Sequence, residues 1–189
     1  MYSVILITYG SSILYTGCKN KTDDKQPAAE QTVSAPETYL TAVERYLTDT
    51  IGSRYNKEDV CIPYYTIVGT DEQNSDDILV WGDYWVLNYH IVGDTLKAVS
   101  GGNHPGLMHV KQSDGHFTVT SFDAVEDGSR YLPSAKRIFG DKFSDFQKAS
   151  SDEKQREETR RKAVINYVEH NNLPCTVYQD FGWDPVKFR

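Results

Sequence analysis

Apolar and polar residues alternate along positions 60–122, in five runs that are rich in β-branched and aromatic side chains. A period of two over this length restricts the chain to β-strands that bury one face. Two short turns interrupt the runs, Gly93-Asp94 and Asp114-Gly115, and both have compositions favoured in two-residue hairpins. The pattern therefore predicts an antiparallel meander.

The two turns also fix which residues lie opposite each other. They predict the pairs Ile91 with Leu96, Tyr89 with Ala98, Val110 with Val119, and Gln112 with Phe117. In the second hairpin the inner face is then Met108, Val110, Phe117 and Val119, and the outer face is His109, Lys111, His116 and Thr118. Pro63, in the first run, predicts an edge strand because proline cannot donate a ladder hydrogen bond.

Helical periodicity is found on both sides of the meander. Ser34 and Glu37 match a capping box, and apolar residues then recur on one face at Leu40, Val43, Leu47 and Ile51 before Gly52. Residues 134–149 and 151–171 predict two further helices, and the charged run 153–162 predicts a solvated surface. Residues 173–188 are predicted to be extended, as a last strand or a strap across the sheet.

The predicted fold class is therefore α+β, with an N-terminal helix packed on a curved antiparallel meander, two further helices and an extended C-terminal segment. The order of elements from Pro36 to Phe122 resembles the cystatin-like and nuclear-transport-factor-two-like folds, in which a sheet curls around a helix. The chain departs from the second of these families, because it has one helix before the sheet and two after it. Fold alone does not give function.

The first 17 residues carry no charged side chain and are too short an apolar run for a permanent membrane helix. They predict a short export signal. The residues LYTGC, which end at Cys18, resemble the bacterial lipoprotein signal, in which a small residue precedes a cysteine that is acylated. No Lys or Arg follows Met1, and Tyr15 is bulkier than that signal usually has.

Residues 19–34 are polar and have no apolar period, which is typical of a flexible tether. The resemblance implies a signal peptide at 1–17, an acylated Cys18 with its tether at 18–34, and one folded domain at 35–189. The protein would then be exported and anchored to the outer face of a bacterial membrane through lipid on Cys18. The alternative is that residues 2–9 form a buried strand and Cys18 is an ordinary thiol.

Cys61 and Cys175 remain as an even pair if Cys18 carries lipid. An exported protein favours a disulfide between them, and two buried thiols are the alternative. The net charge of −7 excludes a surface built for nucleic acid, because phosphate binding requires clustered Lys and Arg.

Asp83 is the residue with the strongest prediction of chemistry. Strict alternation places it between Trp81 and Trp85 on one face of a strand, where burial raises a carboxyl pKa and suits a general acid or base. The alternative is that Gly82 forms a β-bulge that turns Asp83 outward, or that Asp83 caps a backbone N–H.

The four histidines of the sheet region show no metal-ligand spacing, so no metal site and no cofactor are predicted. The leading prediction is a non-enzymatic binding domain for a small molecule, a glycan or a protein, which acts through the aromatic face or its rim. Its candidate ligand-binding residues are Trp81, Trp85, Tyr89 and His104. The alternative is a small acid/base enzyme of hydrolase, isomerase or dehydratase type, built around Asp83.

Overall fold

A seven-stranded mixed sheet forms the centre of the protein in a computed structural model that describes residues 37–56 and 58–188. Helices cover the sheet, which is open and curved, so the predicted α+β class is confirmed. The strands are β1 Val60–Asp71, β2 Ile78–Val92, β3 Thr95–Asn103, β4 Gly106–Ser113, β5 His116–Ala124, β6 Val177–Gln179 and β7 Val186–Lys187.

The hairpin registers agree with the prediction at every pair. Ile91 lies opposite Leu96, Tyr89 opposite Ala98, Val110 opposite Val119 and Gln112 opposite Phe117. Strand β2 pairs with β1 along one edge. Along its other edge, residues 78–82 pair with β4 and residues 85–92 pair with β3. Residues 104 and 105 connect β3 to β4 between these two paired regions. Among the described strands β1 pairs with β2 alone, so Pro63 lies on an edge strand as predicted.

The C-terminal segment supplies two strands that differ from the predicted antiparallel meander. β6 pairs parallel with β3, and β7 folds back antiparallel on β6. The chain reaches β6 through the long last helix, a crossover that allows parallel pairing. The sheet is therefore mixed at this end.

The described residues form four α-helices, namely α1 Tyr39–Tyr46, α2 Tyr131–Phe139, α3 Phe143–Ser151 and α4 Glu153–His170. The predicted start of the first helix is wrong, because α1 begins at Tyr39 with Thr38 as its N-cap and Thr41 as the reciprocal partner. Ser34 of the predicted capping box lies outside the described residues. A π-helical turn and a 3₁₀ turn extend α1 through residues 47–54, so the predicted face still reaches Ile51.

The helix predicted at residues 134–149 is divided into α2 and α3, so three helices follow the meander instead of two. Gly140 has φ +52° and ψ −120°, a conformation that a continuous helix of L-residues does not adopt. The break lets Phe139 and Phe146 stack face to face at 4.1 Å between ring centroids.

The helices lie on both faces of the sheet. On the α1 face, a core of α1 and β2 residues includes Val43, Leu47, Val80, Tyr84 and Val86. On the opposite α4 face, a second core joins β1, β2 and β3 to α4, and a third joins α2 and α3 to Trp81. The sheet is therefore the middle layer of three.

The predicted signal peptide, Cys18 and the tether lie outside the described residues. Pro36–Arg189 forms one compact unit by its internal contacts. None of the helices within the described parts of the chain combines the length and the apolar character that crossing a bilayer requires.

Candidate functional site

Asp83 lies on the α4 face of β2 and is only 4% exposed, as strict alternation predicts. The alternative in which Gly82 turns it outward is wrong, because the irregularity in pairing falls on β1 between Ile67 and Gly69. Gly82 has a different role, since a Cβ atom there would lie 2.5 Å from the Tyr84 ring.

Both carboxylate oxygens of Asp83 accept a hydrogen bond from a neighbouring side chain. Asn103 donates to Oδ1 at 2.6 Å and the Trp85 indole N–H donates to Oδ2 at 3.3 Å. Burial raises the pKa of Asp83, while these two hydrogen bonds and the Arg156 charge oppose the increase. Neither hydrogen-bond partner can exchange a proton at ordinary pH, so the contacts of Asp83 with described residues do not form an acid/base pair.

The elevated pKa of Asp83 predicts a distinct pH dependence of stability. At pH values below the ordinary Asp pKa of 3.8, the carboxyl is neutral in both the folded and the unfolded state. As pH rises through the higher pKa of the folded state, ionisation of the buried carboxyl lowers the free energy of unfolding. Asp83→Asn removes that cost, so the unfolding free energy of the variant relative to wild type should increase between pH 4 and pH 8. Urea unfolding at a series of pH values measures this difference.

Asp114→Asn at an exposed hairpin turn is the matched control, and its difference from wild type should not grow in the same way. If the difference in unfolding free energy between Asp83→Asn and wild type stays constant or decreases from pH 4 to pH 8, burial does not destabilise the Asp83 carboxylate. The same variant tests the enzyme hypothesis, which requires loss of any activity that the wild type shows.

Trp81 and Trp85 lie on the α4 face with Asp83, but neither forms an open binding surface. The Trp81 indole donates to the Ile138 carbonyl at 2.9 Å, and the Lys142 ammonium lies 4.5 Å from its ring centroid. The Trp85 ring stacks on Tyr64, and the Arg156 guanidinium lies 5.5 Å from its centroid. Both tryptophans are half-buried against other groups of the chain.

Tyr89 is fully buried and belongs to the α4-side core. Its hydroxyl accepts a hydrogen bond from Arg160 Nε at 3.1 Å, and the two terminal nitrogens of Arg160 donate to Asp180 at 2.7 and 2.6 Å. Burial lowers the pKa of Arg160, but Asp180 and Tyr89 outweigh that effect and raise it. Tyr89 is therefore a structural residue in this arrangement.

His104 points away from Asp83. Its Nε2 lies 2.7 Å from the Tyr55 hydroxyl, and Tyr55 packs against the core on the α1 face. Burial, assisted by Arg54, lowers the pKa of His104. The structure thus does not bring the four predicted ligand-binding residues together around one cavity.

Three other histidines each lie beside carboxylates. His90 is 2.8 Å from Asp59, His109 is 2.8 Å from Asp77, and His116 is 2.9 Å from Glu37. Within the described residues, no three His, Cys, Asp or Glu side chains meet as metal ligands would.

Cys61 and Cys175 are not joined to each other in the structure. Cys61 packs against the core on the α1 face, whereas Cys175 is buried in the core on the α4 face. The sheet separates the two sulfur atoms. Burial, with a contribution from Asp49, raises the pKa of Cys61 to about 11, so this thiol is neutral and unreactive at pH 7.

An open trough runs along the free edge of β1. The α1 segment forms one wall, α4 forms the other, and the edge of β1 forms the floor. Two adjoining cavities, of about 760 and 520 Å³, share Glu44, Pro63 and Tyr167 as lining residues. We call this feature the β1 trough. Of its lining, the sequence pattern predicted only the edge strand at Pro63.

The β1 trough is acidic and aromatic. Its carboxylates are Glu44, Asp49, Glu58 and Asp59, and its rings include Tyr64, Tyr65 and Tyr167. The one arginine in its lining, Arg45, forms an ion pair with Glu37 outside the trough. Glu44 accepts a hydrogen bond from the Tyr65 hydroxyl at 2.8 Å, and Asp49 has no ion-pair partner among the described residues.

Comparisons of the chain with known protein families, with curated proteins and with solved structures find no match.

Proposed function

We propose that this chain is an exported lipoprotein whose folded domain binds a basic peptide segment of another protein in the β1 trough, without catalysis. The single observation that carries the binding proposal is the position of the trough. It is an open, acidic, concave surface, whereas the aromatic face predicted as the site is covered by α2, α3 and α4. Concave sites with a few directed polar groups are the usual places of binding.

The charge of the trough favours a cationic occupant. Glu44 on α1 and Asp49 on the π-helical turn after it line the trough. Glu58 and Asp59, which directly precede β1, also line it, at 3.8 and 2.8 Å from His90. Pro63 adds to the effect, because its ring removes one backbone donor from the edge and leaves carbonyl acceptors there in excess. The tyrosine rings can contact an ammonium or guanidinium group through their faces.

The shape of the trough favours a peptide over a small ion. Its floor extends over residues 60–65 of an edge strand, a length of roughly 20 Å at the usual rise for each strand residue. An extended segment of about six residues matches this length, and its backbone can use the remaining hydrogen-bonding groups of the edge.

Export and lipid anchoring are supported by the sequence of residues 1–34, namely the uncharged apolar start, the LYTGC match at Cys18 and the polar tether. An anchored domain meets partners on one side of a membrane only. Binding through a permanent surface trough is compatible with that position.

The binding proposal predicts that a pentalysine peptide binds the full-length protein and that trough substitutions weaken the binding. Glu44→Gln and Asp49→Asn should each reduce affinity about threefold at 50 mM salt, which corresponds to a partly exposed charge pair. Ala163→Tyr, which fills the trough without changing charge, should reduce it further, because Ala163 lines the α4 wall. Isothermal titration calorimetry measures each affinity.

The matched control is Asp145→Asn, an exposed carboxylate in the first turn of α3 that does not line the trough. It changes the net charge by the same amount as Asp49→Asn. If both substitutions reduce affinity equally, the peptide is attracted to the whole negative surface and the trough is not its site.

A further inference from the structure

The turn between β6 and β7 presents two large aromatic side chains to solvent. Phe181 is 97% exposed and Trp183 is 75% exposed, which is far more than other exposed apolar residues such as Leu132 at 49%. Burying such side chains is favourable in proportion to their apolar area, so their complete exposure is costly unless another surface covers them. We call Phe181 and Trp183, with Gly182 between them, the aromatic tip.

The base of the aromatic tip is held firmly. The Trp183 backbone N–H donates to the Asp180 carbonyl at 3.1 Å, and the Gln179 side chain donates to the Trp183 carbonyl at 2.9 Å. The Asp180 carboxylate is fixed in turn by the buried guanidinium of Arg160. The two rings therefore extend into solvent from a turn whose backbone is hydrogen-bonded.

The form of the tip favours a lipid surface over a protein. It is a convex projection of two side chains, and a stable protein interface needs about 800 Å² from each partner. A membrane interface needs only that the rings enter between the headgroups, where tryptophan is enriched because its ring is apolar and its N–H stays hydrated. Lys97 and Phe181 line the same small cavity, and Asp180 is paired with Arg160, whereas the exposed Asp184 directly follows Trp183 and adds one carboxylate next to the tip.

We propose that Phe181 and Trp183 insert into the lipid–water interface and orient the domain on the membrane that carries it. This inference rests on the proposed lipid anchor at Cys18, which would keep the domain close to a bilayer. At that effective concentration, a contact of modest intrinsic affinity for membranes is sufficient to hold one orientation.

The test uses the full-length protein with Cys18→Ser, which removes the acyl chain, and phosphatidylcholine vesicles with and without brominated acyl chains. Brominated lipid should quench tryptophan emission of this protein, and Trp183→Phe should remove most of the quenching, because Trp81 and Trp85 are half-buried on the domain whereas Trp183 is 75% exposed. Phe181→Ser should reduce vesicle partitioning roughly tenfold. Leu132→Ser, at an exposed apolar residue on α2, is the control and should leave partitioning unchanged.

Three results would overturn the inference: no quenching at any lipid concentration, equal losses for Phe181→Ser and Leu132→Ser, or a wild-type oligomer in solution that Phe181→Ser dissociates. Failure of the lipid anchor is a separate result. The anchor fails if the wild-type protein and the Cys18→Ser variant occupy the same cellular fraction. The vesicle assay contains no acylated protein, so its result does not depend on the anchor.

Discussion

Asp180→Ala is expected to lower the free energy of unfolding by about 3 kcal/mol, which is the lower end of the range for breaking a buried ion pair. The Arg160 side chain is only 4% exposed, and Asp180 accepts two of its hydrogen bonds. Without that carboxylate, the guanidinium stays in the core with the Tyr89 hydroxyl as its remaining hydrogen-bond partner. Asp180 is itself 41% exposed, so water can enter and reduce the cost.

The double variant Arg160→Met with Asp180→Ala separates the loss of a contact from the cost of an unpaired charge. It keeps an apolar stem against Tyr178, whose ring lies 4.4 Å from the guanidinium carbon, and it leaves no charge in the core. We expect it to recover most of the stability that the single variant loses, as measured by urea unfolding. If Asp180→Ala alone has a free energy of unfolding within about 0.5 kcal/mol of wild type, solvent already screens the charge of Arg160.

Gly101→Ala is expected to destabilise the protein by more than about 3 kcal/mol or to prevent folding. Gly101 lies in β3 opposite Leu87, with φ +145°. A Cβ atom there would lie 2.1 Å from the Val86 carbonyl oxygen and 2.9 Å from the Leu87 Cα. Both are backbone atoms of the central strand, so relief would require β2 and β3 to separate.

Gly115→Ala is the matched control for this glycine. Gly115 also has a positive φ, of +80°, but a Cβ atom there meets no heavy atom within 4 Å. Its cost should be near 1 kcal/mol, which reflects backbone strain alone. Thermal and urea unfolding of the two variants compare the effects, and equal losses would mean that crowding against β2 is not what requires glycine at position 101.

The meander and its registers could be predicted because their determinants are local. Gly93-Asp94 and Asp114-Gly115 each fix a two-residue turn, and alternation then sets every pair along the two hairpins. The position of Asp83 on the face of Trp81 and Trp85 follows from the same period. These results depend on residues that are close in the chain.

Other features could not be predicted, because they depend on contacts between distant segments. No local pattern shows that β6 pairs parallel with β3, since the register is set by how α4 crosses the sheet. Arg160 lies within a charged run that is typical of a solvated helix, yet it is buried because Asp180 and Tyr89 approach it from other elements.

The candidate site also combines features that the local sequence predicts with features that depend on contacts between distant segments. The sequence indicated that Trp81, Trp85 and Tyr89 are apolar positions of a sheet face, but α2, α3 and α4 cover that face. The β1 trough is assembled from α1, β1 and α4, so its acidic residues are far apart in the chain. Pro63 was the one local sign, because an edge strand leaves one side of the sheet without a neighbouring strand.

The most direct test of the proposed function is a titration of isotope-labelled full-length protein with pentalysine, followed by amide chemical shifts. Binding in the β1 trough predicts that the largest shift changes fall on the edge strand around Cys61 and Tyr65, with smaller changes at Glu44 and Tyr167 on the two walls. Changes centred on Asp83 and Trp85, or spread evenly over the acidic surface, would contradict it.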